Sequence, residues 1–215
     1  MLHLIESFKR ICESYDHVVL DTSVWGRRDV NYGIDYESLF GFIPSKLSFR
    51  EELPFLNEFI LSIKEYENVR TVKGVVREIE KGLRRMKSRR GRDYRSANTG
   101  IKNILKTRII EHLFGEEEIS DLNTLHEKLE FLKKKYGLSD TDLGIVLNSV
   151  ELAKSRGDTA VVSNDKEILE TVDLIRSSKI KLPVSLKYRL DPYTSIERDH
   201  FYLYQTKATE KMAVG

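Results

Sequence analysis

The sequence predicts an α/β fold: a three-layer α/β/α arrangement around a central, mainly parallel sheet, with a helical insertion. Two observations lead there. HVVL (His17–Leu20) and TAVVS (Thr159–Ser163) are short apolar runs with no polar alternation, the mark of strands covered on both faces. Segments with helical period lie between and around them, and strands separated by helices build parallel sheets. In such sheets the functional crevice opens beyond the carboxyl ends of the strands. Each run ends on an acid there, Asp21 in the first case and Asp165 in the second.

The elements follow in order. Leu4, Ile5, Phe8, Ile11 and Cys12 form a helical stripe over Leu2–Cys12, ahead of the first strand. Gly26 to Ser48 carries three glycines and Pro44 with no sustained period, and loops of that length serve as lids or binding loops or are disordered. Leu53, Leu56, Phe59, Ile60 and Ile63 share one face of a helix over Glu51–Tyr66. A brief strand at Val69–Val72 precedes a helix that starts near Lys73 and runs into a basic segment. Leu122, Leu125, Leu129 and Leu132 mark a helix ending at Tyr136, with Gly137 as its cap. Ser139 starts the next helix, through Leu143, Val146, Leu147 and Val150 to about Gly157. Ile180–Leu186 is the candidate last strand, and the chain after Gln205 is expected to fray. The expected organisation is one domain over 1–186, with a loop insertion at 26–48 and a basic helical insertion at about 81–112. A partly flexible C-terminal extension, 187–215, follows.

Composition narrows the class. With 40% hydrophobic and 33% charged residues, the 215-residue chain has the make-up of a soluble globular protein. No run approaches the ~18 apolar residues of a membrane span. The charged N-terminus does not read as a signal peptide. A single cysteine, Cys12, builds neither a disulfide framework nor a zinc ribbon. The expected location is cytoplasmic, with no membrane partner.

Net charge is +2, but from Lys81 to Arg108 eleven Lys and Arg face only Asp93, which leaves −8 on the rest. Such asymmetry points to a polyanion as partner, against the simpler reading of a solvated helical hairpin. Arg84, Arg85, Lys87, Arg89, Arg90 and Arg92 are the candidate phosphate contacts. Tyr94, with Tyr32, Tyr36 or Phe40 in the long loop, is a candidate for stacking on unpaired bases, and local packing is the bland alternative.

Two further acids compete for the crevice. Glu78 lies in VVREIEKG at the border of an apolar helix face; its rival Glu80 points about 200° away around that helix. Asp142 lies in the first turn of its helix, three residues after Ser139, and fits a capping box equally well. Asp21 before Thr22-Ser23 also suits a turn or cap, and Asp165 after Asn164 an Asx turn. Four carboxylates in one crevice repel each other and take up protons unless a cation intervenes. Oxygen ligands without His or Cys suit Mg²⁺ or Mn²⁺, which can ionise a bound water and neutralise a phosphoryl oxygen. Hydrolysis of a phosphodiester is the chemistry expected.

VVLDTSVW, VVREIEKG, LSDTDLGIVL and VVSNDKEIL, in that order, resemble the motifs of the PIN-domain nucleases. The resemblance implies Asp21, Glu78, Asp142 and Asp165 as metal ligands and catalytic residues. It also implies Thr22, Ser23 and Ser163 as hydrogen-bonding support and Asp140 as an outer acid. The function it implies is a metal-dependent endoribonuclease acting on single-stranded or structured RNA; the rival is a PIN-like module that binds RNA or protein without cutting. The motifs span about 100 residues. The chain departs from compact members of the family in its long loop, basic insertion and aromatic extension, so a toxin with an antitoxin partner is not favoured. A zinc module of the ribosome-maturation type cannot be built, no tRNA-specific signature is seen, and a homo-oligomer is left open. A phosphatase using Asp21 as nucleophile would want a second Asp two residues on, where Ser23 stands.

Overall fold

Val18, Val19 and Leu20 are each fully buried, three successive residues that alternate between the two faces of one strand. Both faces are therefore covered, and the unbroken apolar run has its cause. A computed structural model describes residues 2–25, 49–85, 91–110, 127, 131, 133–182, 185–196 and 198–206. Its elements are α1 (Leu2–Ser14), β1 (His17–Leu20), a 3-10 turn (Thr22–Val24), α2 (Phe49–Glu65), β2 (Val69–Arg70), α3 (Lys73–Arg85) and α4 (Gly91–Lys106). They continue with α5 (Asp140–Ser155), β3 (Thr159–Val162), α6 (Lys166–Arg176), β4 (Leu190–Thr194) and β5 (Tyr202–Leu203). The loop 26–48 and most of 111–132 lie outside the described residues.

The five strands form one sheet in the order β2-β1-β3-β4-β5. β1 is parallel to β2 and to β3, β3 is parallel to β4, and only β5 runs antiparallel. The register sets Leu20 beside Val162, so β1 and β3 end at the same level. α1 packs against β1 and α2, while α5 and α6 pack together and against β3 or β4, an arrangement compatible with three α/β/α layers. The chain is thus an α/β protein with a mixed, mostly parallel sheet. Among the described residues no helix is long and apolar enough to cross a membrane.

Local signals act as expected at several boundaries. Gly137 takes φ +75°, the left-handed region that favours glycine, and its N–H closes onto Lys133 O at 2.9 Å. Trp25 plugs the end of β1, fully buried with its ring 5.7 Å from that of Phe59.

The last parallel strand corrects the sequence reading. The described residues of 180–186 form no strand, because the N–H groups of Lys179 and Ile180 still bond to Leu174 O at the end of α6. The strand is Leu190–Thr194, with Leu190, Pro192 and Thr194 buried. Pro192 is tolerated because its carbonyl, and hence its nitrogen, faces away from β3: that carbonyl accepts from Tyr204 N at 2.8 Å. β4 and β5 therefore lie within the segment that reads as an extension.

The basic insertion is tied to the fold. α4 packs its Tyr94, Ala97, Ile101 and Leu105 inward against α2 and α3. Burial makes Tyr94 unavailable for stacking on a base; Tyr32, Tyr36 and Phe40 lie outside the described residues. Arg108 is half-buried and donates to the carbonyls of Ile63, Lys64 and Tyr66, closing the end of α2. It belongs to the scaffold, so the exposed basic surface is smaller than the sequence count.

Candidate acidic site at the carboxyl edge of the sheet

Because β1 and β3 stop at one level, the residues after them meet. Asp21 is only 4% exposed. Its Oδ1 accepts from Thr22 N at 2.7 Å; its Oδ2 accepts from Ser163 Oγ at 2.8 Å, Ser23 N at 3.2 Å and Ser23 Oγ. Asp21 is thus the N-cap of the 3-10 turn, and the capping reading of the sequence holds alongside any other role. Ser163 Oγ also accepts from Asp165 N at 2.9 Å, so one hydroxyl joins the two strand ends.

Glu78 reaches the same edge from α3. Its Oε2 accepts from Thr22 Oγ1 at 2.7 Å. Glu80 turns instead toward Arg84, 4.0 Å away. Of the two acids on this helix, Glu78 faces the strand ends. α3 comes close to α5 through Gly74, where an added Cβ would stand 2.7 Å from Thr141 Oγ1.

Asp142 closes a full capping box at the start of α5: Ser139 N donates to its Oδ2 at 2.7 Å, and Asp142 N donates to Ser139 Oγ at 3.2 Å. Asp165 caps α6, accepting from Glu167 N at 3.0 Å. Asp140 stands apart, with a side chain 91% exposed and paired to Lys133. Arg84 and Arg92 are exposed; the Arg85 side chain, Lys87, Arg89 and Arg90 lie outside the described residues.

The electrostatics bind the acids into one group. Burial pushes the Asp21 carboxyl up to about 6; the Ser23 and Ser163 hydroxyls oppose the rise, and the charges of Asp142 and Glu78 add to it. Asp165 is raised as well, first by burial, then by its hydrogen bond with Glu167 and the fields of Asp142 and Asp21. Glu167 is held low by the same contact. Among the described residues none of the four carboxylates has a cation partner. Also among those residues, no group of three or more His, Cys, Asp or Glu side chains is drawn together closely enough to hold a metal ion. The donor set itself suits a hard divalent cation: carboxylate oxygens, uncompensated charge and no soft ligand.

Asn164 carries a role that the sequence did not suggest. Its backbone N–H donates to Ser23 Oγ at 2.8 Å, and its side-chain Oδ1 accepts from Thr194 Oγ1 at 2.9 Å and Ser195 N at 3.0 Å. One residue therefore ties the ends of β1, β3 and β4 together. The only signal in the sequence is its place between Ser163 and Asp165.

No family model, no curated protein and no solved structure matches the chain.

Proposed function

We propose that the chain is a PIN-like, divalent-metal-dependent endoribonuclease. The observation that carries the reading is the meeting of Asp21, Glu78, Asp142 and Asp165 from two strand ends and two helices, with the Asp21 and Asp165 carboxyls raised by burial and by their acidic neighbours. These four would hold Mg²⁺ or Mn²⁺. When bound, such an ion supplies an ionised water and neutralises charge on a phosphoryl oxygen.

The protein's own part is positioning. Ser23 and Ser163 fix the Asp21 carboxylate, Thr22 fixes that of Glu78, and Ser139 fixes that of Asp142. The exposed Arg84, with Arg92 on the next helix, gives phosphates a first foothold. The test is cleavage of a panel of RNAs with Mg²⁺ or Mn²⁺ by the wild type and by Asp21→Asn. Cleavage lost in the variant, by about two orders of magnitude or more, is the expected result. Equal activity in both refutes chemistry at this site, and salt-sensitive binding with no cleavage by either points to the binding module instead.

A further inference from the structure

The cations of α3 form a pattern that the acidic site does not use. Lys73, Arg77, Lys81 and Arg84 are all exposed. At 100° per residue they fall within an arc of about 80° and form one row about 17 Å long. Glu78 stands about 60° further round, on the flank next to Lys81. The opposite face, with Val75, Val76, Ile79 and Leu83, is buried. One helix thus carries a core face, a site carboxylate and a basic row in that order around its axis.

Several exposed cations elsewhere are paired. Lys9 pairs with Glu65 at 2.8 Å, Lys166 with Glu170 at 3.4 Å and Arg189 with Asp158 at 2.7 Å. On α3 the one ion pair among the described residues is Arg84 with Glu80, at the 4.0 Å limit. Glu78 lies near Arg77 and Lys81 in sequence, yet it bonds to Thr22. Four like charges on one face of a helix repel each other, so the row is held against a cost that a line of anions would relieve.

We infer that this row of α3 is the track on which the phosphates of an RNA strand lie as it enters the acidic edge at Glu78. The inference rests on the nuclease reading for the nature of the polyanion. It goes beyond it by making the substrate a strand that extends several nucleotides to one side of the scissile bond. The phosphate contacts named from the sequence begin at Arg84; the track runs the other way from there, back through Lys81, Arg77 and Lys73.

The test separates binding from chemistry. Anisotropy of a short labelled single-stranded oligoribonucleotide, titrated with the full chain in chelator over a series of salt concentrations, reads the track alone. Arg77→Gln/Lys81→Gln/Arg84→Gln should weaken binding about tenfold or more and lower the slope of log K against log salt by about 2. Arg77→Lys/Lys81→Arg/Arg84→Lys should keep the wild-type slope, and circular dichroism should show both variants folded. An unchanged slope in the Gln variant, or a lost one in the charge-conserving variant, overturns the track. Equal affinity for polyglutamate overturns RNA in favour of an acidic protein. Track-dependent binding without cleavage in Mg²⁺ or Mn²⁺ sinks the nuclease reading and leaves the track standing.

Discussion

Asp21 holds four donors within hydrogen-bond reach and still has a raised carboxyl, so burial and like charges outweigh the local donors. The sign of the consequence is fixed. A carboxyl raised from its ordinary value to about 6 binds its proton more tightly in the folded chain, so stability falls as pH rises through that window. Above it the full cost, about 3 kcal/mol, weighs on the metal-free protein. Asp165 shifts in the same direction. In chelator, Asp21→Asn should therefore flatten the fall of Tm between about pH 4 and pH 7 and be the more stable form at the upper end. Calorimetry checks this, and parallel curves for the two proteins would contradict it. At this scale the sequence placed Asp21 and Asp165 after apolar runs and Asp142 at a helix start. It did not distinguish capping from site chemistry, since Asp21, Asp142 and Asp165 all cap and all share one field.

At the scale of elements, the approach of α3 to α5 decides where Glu78 stands. Gly74 and Glu78 are one turn apart on one side of α3, and Gly74 is where Thr141 presses closest. A Cβ there would meet the β-branched Thr141 side chain at 2.7–3.0 Å, with no long flexible end to give way. Gly74→Ala should destabilise by about 1–3 kcal/mol and reduce cleavage with it, as Glu78 is pushed off the edge. Gly144→Ala is the control, because its Cβ would sit 3.9 Å from Val72, an ordinary contact. In a helix interior that change should leave Tm unchanged or raise it. Comparison of the two thermal melts decides the matter, and an equal loss in both would remove Gly74's special role. The contact was illegible in KGVVREIE, because a glycine's use depends on the helix that faces it. β4 was hidden for a related reason: LDPYT has an acid and a proline, and becomes a strand only because β3 and β5 flank it.

At the scale of the whole molecule, the segment after Leu186 is structural. β4 pairs along the length of β3, Asn164 is held by Thr194 and Ser195, and Thr206 N caps the buried Asp173 at 2.9 Å. A chain ended after Leu186 would leave β3 as an open, mostly apolar edge, and it should aggregate or fail to fold. Circular dichroism and size exclusion on that truncation test this; a folded monomer would show that the sheet needs only three strands.

The same sheet constrains how the chain comes to be folded. Asp21 is joined to Ser163 across 142 residues and Thr22 to Glu78 across 56. Contacts between such distant residues form slowly, and chains are made from the N-terminus. During synthesis Asp21 thus emerges long before β3 and Asp165. The growing chain stands beside the RNA from which it is translated with its acids still apart. The cleavage proposed for the finished edge cannot begin until β3 and Asp165 have been made.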